Sequence, residues 1–316
     1  MTDRVRINLR DIITSDERLA AGHRLCAGCA EPTAVRQILH AIDNPVVLST
    51  STGCLEVSTT VYPFSAWNVP WIHSAFENSS TTITGAEAAF KALKRRGKIP
   101  EDKQITFIAF GGDGASYDIG FQFISGALER GHKFIYVCLN NEAYMNTGIQ
   151  RSSATPLGAS TTTTPAGKVV PGKTQWRKPF TRIMAAHEIP YVAQCSPHNY
   201  RDLMRKAKKA AAADGPAVLN VLVPCPRGWR HGGEDTMAIA ELAVDSCYWP
   251  LYEVDNGKTT VTYKPREKKP VADWLRQQGR FRHLFRPAYE SIVNEIQERV
   301  DKEWERLLAA EANETA

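Results

Sequence analysis

Residues 111–146 read GGDGASYDIGFQFISGALERGHKFIYVCLNNEAYMN. An apolar run at 105–110 precedes Gly112-Asp113-Gly114 and an amphipathic segment at 117–130 follows, which places the glycines at a strand-to-helix turn. A second apolar run, 134–139, ends in Asn140-Asn141. Asp113 and Asn141 are 28 residues apart, the length of one strand-helix-strand unit. If the two strands are parallel, their ends share the edge of the sheet where open α/β folds bind ligands. The glycine turn offers free backbone N–H groups to a phosphate at that edge. A carboxylate, an amide oxygen, a backbone carbonyl and phosphate oxygens together suit Mg2+, a hard cation that takes few protein ligands.

An Asp-Gly pair alone marks an ordinary turn. With a double asparagine at this spacing and a strand before each, the pattern resembles the diphosphate-binding motif of thiamine diphosphate enzymes. Asp113 is then expected at an exposed turn, supplying the carboxylate of the metal site.

A chain of 316 residues with 43% hydrophobic content can bury one large core or two modest ones. No apolar run approaches the ~20 residues of a membrane helix. The first twenty residues lack the apolar centre of a signal peptide, so a cytoplasmic protein without membrane contact is expected. A formal charge of +5 is mild at this length, and no basic motif is interleaved with aromatics, which argues against nucleic acid. Seven cysteines are too few and too uneven for a disulfide scaffold, leaving metal or cluster ligation as the natural use for some of them.

Along the chain, residues 1–25 read as a polar arm leading into GHRLCAGC. A helix is expected from near Pro32 to Ile42, a short strand at 46–49, and then the turn cluster STSTGC ending in Cys54. Residues 62–76 mix aromatics with turn formers and read as an irregular connection, before a helix over 81–96 that stops at Gly97. Residues 151–178 form a long Ser/Thr/Pro/Gly-rich loop, of a length that usually covers a site or a partner. Helix (180–187), strand (191–194), helix (200–213) and a last clear strand (217–223) follow, running into PCPRG. Strands alternating with helices predict a doubly wound parallel α/β sheet. The expected division is a cofactor module over 1–250 and an irregular, helical extension over 251–316. In that extension, 264–286 holds eight Lys or Arg against two acids, and an amphipathic helix follows. The basic stretch reads equally as a solvated surface or as an arm that grips a partner.

Cys26 and Cys29 form a C-x-x-C that could serve zinc, redox or cluster chemistry. Cys54 and Cys225 each lie in a turn just after a strand, where a thiolate can face the ligand edge. Cys138 falls inside a buried strand and reads as core. Cys195 and Cys247 are open on spacing alone. Four thiolates suit either tetrahedral zinc or a [4Fe-4S] cluster. Beside a thiamine site, a cluster could accept electrons, whereas zinc has no redox use.

Four separated motifs, GHRLCAGC, STGC, GGDGASYDIG with LNNEAYMNTGIQRSS, and PCPRGW, resemble the β subunits of the 2-oxoacid:ferredoxin oxidoreductase family, the pyruvate-specific branch in particular. The resemblance implies that Cys26, Cys29, Cys54 and Cys225 bind a [4Fe-4S] cluster. It implies that Asp113, the Asn141 side chain and the Ala143 carbonyl hold Mg2+. It also implies that Glu31, the Cys54 backbone, Gly112, Asp113, Gly114 and Ala115 contact thiamine diphosphate, with Asn146 beside its reactive carbon. The implied reaction is oxidative decarboxylation of pyruvate with coenzyme A to acetyl-CoA and CO2, electrons passing to ferredoxin. The implied partners are an α subunit, a γ subunit or fused domain, and a ferredoxin-like subunit. Ala30 departs from the pattern, since many relatives place glycine there. The rivals are the same machinery on oxalate, 2-oxobutyrate or a branched 2-oxoacid, a non-redox thiamine decarboxylase or synthase, and a zinc-stabilised scaffold. His23, His73, Glu56 and Glu142 flank these segments and read as structural groups.

Overall fold

The computed structural model describes residues 7, 12 and 14–313. In chain order the helices are α1 (Ala30–His40), α2 (Cys54–Thr59), α3 (Ser79–Arg95), α4 (Phe121–Glu129), α5 (Phe180–Ala185), α6 (Tyr200–Ala212), α7 (Thr236–Asp245), α8 (Val271–Arg276) and α9 (Glu290–Asn313). The strands are β1 (Val46–Ser51), β2 (Trp71–Ser74), β3 (Thr106–Gly112), β4 (Ile135–Asn140), β5 (Tyr191–Cys195), β6 (Ala217–Leu222), β7 (Tyr252–Asp255) and β8 (Lys258–Val261). They form one sheet in the order β2-β1-β3-β4-β6-β5-β7-β8. The pairs among the first six are parallel, while β7 and β8 add antiparallel.

The fold is the expected doubly wound, mostly parallel α/β sheet. Strands β4, β5 and β6 are buried at every position, as strands covered on both faces must be, and so read as mainly apolar runs, with Asn140, Gln194 and Asn220 as buried exceptions. One face packs Val35, Ile38 and Leu39 of α1 with Leu203 and Ala207 of α6. The other packs Ile83 of α3, Ile124 and Leu128 of α4, and Phe180 and Met184 of α5. A third cluster gathers Trp229, Trp249, Trp274 and Phe281 with α7, α8 and α9.

Three sequence expectations need correction. The irregular connection at 62–76 contains β2, an edge strand of four residues whose Ile72 and His73 are exposed, so no apolar run announced it. The extension over 251–316 is not all irregular and helical, since residues 252–261 form a partly exposed hairpin on the same sheet, while β6 remains the last strand buried throughout. The hairpin's signal was present in Asn256-Gly257, both left-handed (φ 48° and 82°), the pair that two-residue hairpin turns demand. Asp113 is not exposed but fully buried, because the long loop folds over it.

That loop is compact. Lys173, 1% exposed, donates to the carbonyls of Ser152, Ser153 and Thr155, which pins the loop above the ends of β3 and β4. The arm reading for 1–25 can be followed from residue 14, where Leu19 bridges Trp67 and is buried; most of the earlier residues lie outside the described ones. The basic stretch is neither fully solvated nor free. Lys264 pairs with Glu311, Lys268 with Asp301 and Lys269 with Asp245, and Arg280 is buried.

Candidate functional site

The register of β3 on β4 sets Gly112 opposite Leu139, so Asp113 and Asn140-Asn141 leave neighbouring strands at one edge. Strand β1 ends on the same edge with Thr52-Gly53-Cys54, and the chain reverses winding direction between β1 and β3. This is the switch point where doubly wound sheets open a crevice. A cavity of about 210 Å3 lies there, and its wall includes Glu31, Cys54, Gly112, Gly114, Asn141, Ala143 and Asn146.

Local sequence explains the shape. A β-carbon on Gly112 would meet nothing within 4 Å, so its absence opens the wall to a ligand. A β-carbon on Gly114 would strike the Tyr144 ring at 2.4 Å, so that turn closes only with glycine. After it, residues 114–119 form a wide helical turn before α4 begins at Phe121. The two asparagines bend the chain leaving β4. Asn140 Oδ1 accepts from the Glu142 amide at 3.0 Å and Asn141 Oδ1 from the Ala143 amide at 3.4 Å, while Glu142 adopts φ 66°.

Two carboxyl groups here lack full partners. Asp113 Oδ2 accepts from Ser152 Oγ, and its Oδ1 is buried with no partner. Glu31, in the first turn of α1, accepts from Asn141 Nδ2 at 3.0 Å through Oε1, and its Oε2 is likewise buried and unpartnered. Burial pushes Asp113 up to about 8, against the opposing Ser152 hydrogen bond, and Glu31 up to about 7, against Asn141. A bound cation reverses that penalty, because it stabilises the ionised form directly. Ala115 is buried beneath the turn rather than in the wall. Ala30 opens α1 with ordinary helical geometry and is fully buried.

The cysteines fall into two groups by burial, with Cys195 and Cys247, which spacing left open, joining Cys138 in the interior. Cys138 is fully buried within β4, Cys195 within β5, and Cys247 is buried after α7. Cys26, Cys29, Cys54 and Cys225 stay at least partly exposed and approach one another. Burial raises the Cys29, Cys54 and Cys225 thiols, and neighbouring cysteines add to each rise. Gly28 (φ 77°) presses the C-x-x-C loop onto Gly233, whose Cα would lie 2.4 Å from a β-carbon at 28, and Thr236 Oγ1 donates to the Gly28 carbonyl. That contact carries Cys26 and Cys29 to the loop holding Cys225, whose sulfur accepts from the Gly228 amide at 3.3 Å. Among the described residues, no three His, Cys, Asp or Glu side chains are grouped to hold a single metal ion.

The two groups touch. Cys54 belongs to both, Asn146 lies within hydrogen-bond reach of its thiol, and Trp229 Nε1 of the Cys225 loop donates to the Asn141 carbonyl at 2.7 Å. Sequence reasoning passed over Trp229 and Ser152, although both stand inside the quoted motifs. It also passed over Arg280. Its guanidinium stacks 4.0 Å from the Trp229 ring and pairs with Glu142, both partners buried, while Glu142 also accepts from Tyr248. Glu142 thus bonds to the C-terminal cluster rather than to its own turn. Glu56 does bond within its own helix, to Thr60, and lies 3.5 Å from His73. Breaking the buried pair in Arg280→Met is expected to cost about 3–5 kcal/mol of stability in urea unfolding. The double variant with Glu142→Gln should recover part of the loss, and a cost under about 1 kcal/mol would mark the pair as solvent-screened.

Residues 51–221 match the thiamine pyrophosphate enzyme, C-terminal TPP binding domain family. The chain is 54% identical over 298 residues to pyruvate synthase subunit PorB of Thermotoga maritima, covering 93% of this chain and 92% of the relative. The chain belongs to the thiamine diphosphate-dependent 2-oxoacid:ferredoxin oxidoreductases. Within that family it is also 51% identical to pyruvate synthase subunit PorB of Methanocaldococcus jannaschii, covering 90% and 95%. The 2-oxoglutarate:ferredoxin oxidoreductase structure from Magnetococcus marinus shares the fold, with a TM-score of 0.53 at 19% identity over 71% of this chain and 78% of that one. Membership as an oxidoreductase subunit removes the scaffold and non-redox rivals. No described helix is long and apolar enough to cross a membrane.

Proposed function

We propose that the chain is the β subunit of a pyruvate:ferredoxin oxidoreductase. It converts pyruvate and coenzyme A to acetyl-CoA and CO2 and passes electrons through a [4Fe-4S] cluster to ferredoxin. Pyruvate is favoured over oxalate, 2-oxobutyrate and branched 2-oxoacids because the relatives at 54% and 51% identity are both named pyruvate synthase subunits. The observation that carries the reading is one crevice in which two buried carboxyl groups each keep an unpartnered oxygen and Cys54 stands in the wall.

On this reading Gly112, Gly114 and Ala115 present the turn to the diphosphate. Asp113, Asn141 and the Ala143 carbonyl hold Mg2+, and Ser152 keeps Asp113 aimed. Glu31 and the Cys54 backbone border the cofactor, and Asn146, next to Cys54, offers an amide N–H to the substrate-derived oxygen. When bound, the thiazolium supplies the electron sink for decarboxylation and the cluster a one-electron acceptor beside it. The loop over Asp113 excludes water from the crevice floor. The cofactor module runs past the expected boundary near 250 through the β7–β8 hairpin, and the chain beyond it buttresses the metal turn through Arg280. The α subunit supplies the aminopyrimidine module, with γ and ferredoxin-like subunits completing the enzyme in the cytoplasm.

Iron and sulfide analysis of anaerobically purified enzyme is expected to find about four of each per chain beyond those of the partner subunits. Cys225→Ser is expected to lose or degrade the cluster in visible absorbance and in low-temperature paramagnetic resonance after reduction. Cys138→Ser is expected to lower stability and keep the colour, since it places a hydroxyl in a closed strand. A bleached Cys138 variant beside an intact Cys225 variant would overturn the ligand set.

A further inference from the structure

A second cavity, about 390 Å3, lies away from the crevice, over β6, β5 and β7, between α5 and the C-terminal helix α9. It is larger than the crevice at the sheet edge and lies within the ~300–1,000 Å3 of small-molecule sites. Phe180, Trp249 and Leu307 make its walls apolar.

Two buried polar atoms of its lining have no partner. Arg177 is 10% exposed at the side chain. Its Nη2 donates to the Tyr248 carbonyl and lies 3.7 Å from Glu303, but its Nη1 is unsatisfied. Asn220 is 1% exposed. Its Nδ2 reaches Tyr117 and Thr181 at 2.9 Å each, and its Oδ1 meets nothing. Turning that amide over would bring Oδ1 to Tyr117 and Thr181 and leave Nδ2 unpartnered instead, so one polar atom of the amide stays without a partner either way. Each such group destabilises the fold unless something in the cavity partners it. The lining is also unbalanced in charge, with Arg177, Lys178, Arg182 and Arg306 against the single carboxylate of Glu303. Arg182 and Arg306 are exposed, so they are free to draw an anion inward.

We propose that this cavity is a binding site for a small organic carboxylate with an apolar body, held by Arg177 within and Arg306 at the rim. The cations select the charge, the aromatic and aliphatic walls select the body, and the Asn220 amide reads a polar substituent on it. Nothing in the assignment depends on the thiamine crevice.

The test uses the assembled enzyme and phenylacetate as probe, followed by saturation-transfer resonance and calorimetry. Saturable binding with a Kd below about 1 mM is expected. Phenylacetamide, which lacks the charge, and inorganic phosphate, which lacks the body, are each expected to bind about tenfold more weakly or worse. Ala310→Trp, which fills the cavity from α9, is expected to abolish binding, and Arg306→Glu to weaken it about tenfold. Melting temperatures of both variants establish that they fold. Absence of saturable binding at 10-fold higher probe would mean that water or a partner segment occupies the cavity, and the proposal fails. Binding that survives Ala310→Trp places the probe elsewhere, and equal binding of either control removes the carboxylate or the apolar body from the recognition; each of these also overturns it.

Discussion

Asp113→Asn is expected to abolish Mg2+-dependent binding of thiamine diphosphate while leaving the cofactor-free protein as stable as before, or more so. The side chain is fully buried, with one oxygen held by Ser152 and the other without a partner. An uncompensated buried carboxylate destabilises the fold, and an amide of the same shape removes that charge while still accepting from Ser152. The same change deletes the only carboxylate proposed for the metal. Melting temperatures of enzyme stripped of cofactor and then reloaded separate the two effects. The unaltered enzyme at cofactor and Mg2+ levels of 100 times Kd is expected to gain about 2.7 kcal/mol, and the variant nothing. A variant that gains as much as the unaltered enzyme would remove Asp113 from the site.

The second large effect concerns the chain by itself. Reconstituted with iron, sulfide, Mg2+ and thiamine diphosphate but without partners, it is expected to show no 2-oxoacid-dependent reduction of a viologen dye. Thiamine catalysis needs two α/β modules, one for the diphosphate and one for the aminopyrimidine. The described chain contains one sheet of eight strands. The face the missing half would need is dressed for contact. Val57, Tyr62 and Phe64, which follow Cys54 in the chain, expose apolar surface, and β2 presents an unpaired edge with Ile72 exposed. Robust turnover without any partner would overturn both the one-module reading and the subunit assignment.

Much of this was legible from residues alone because the relevant physics is local. Strands β3, β4 and β6, covered on both faces, are mainly apolar, with Thr106, Asn140 and Asn220 as buried exceptions, and the glycine turn and asparagine pair each have a backbone reason to stand where they do. The assignment of Cys138 to the core and Cys225 to a turn followed from the same strand pattern, and the structure places both accordingly. What escaped was non-local. The burial of Asp113 depends on a loop beginning 38 residues later, which no window around Asp113 contains. The role of Arg280 depends on contacts with Trp229 and Glu142, 51 and 138 residues away, and a basic composition concealed that one arginine of the stretch is interior. Strand β2 is short and half exposed, so its pairing with β1, rather than its sequence, makes it a strand.

The indole of Trp229 donating to the Asn141 carbonyl has a further consequence. One hydrogen bond joins the loop that carries Cys225 to the turn proposed to grip the metal and, through it, the vitamin. Were the proposed cluster lost to air, the Cys225 loop would lose its anchor, and because Trp229 is buried against Arg280 and Trp274, a shift of that loop would pull on the Asn141 carbonyl. Oxygen damage would then resemble vitamin deficiency, with inactivated enzyme shedding thiamine diphosphate in step with the iron of the proposed cluster.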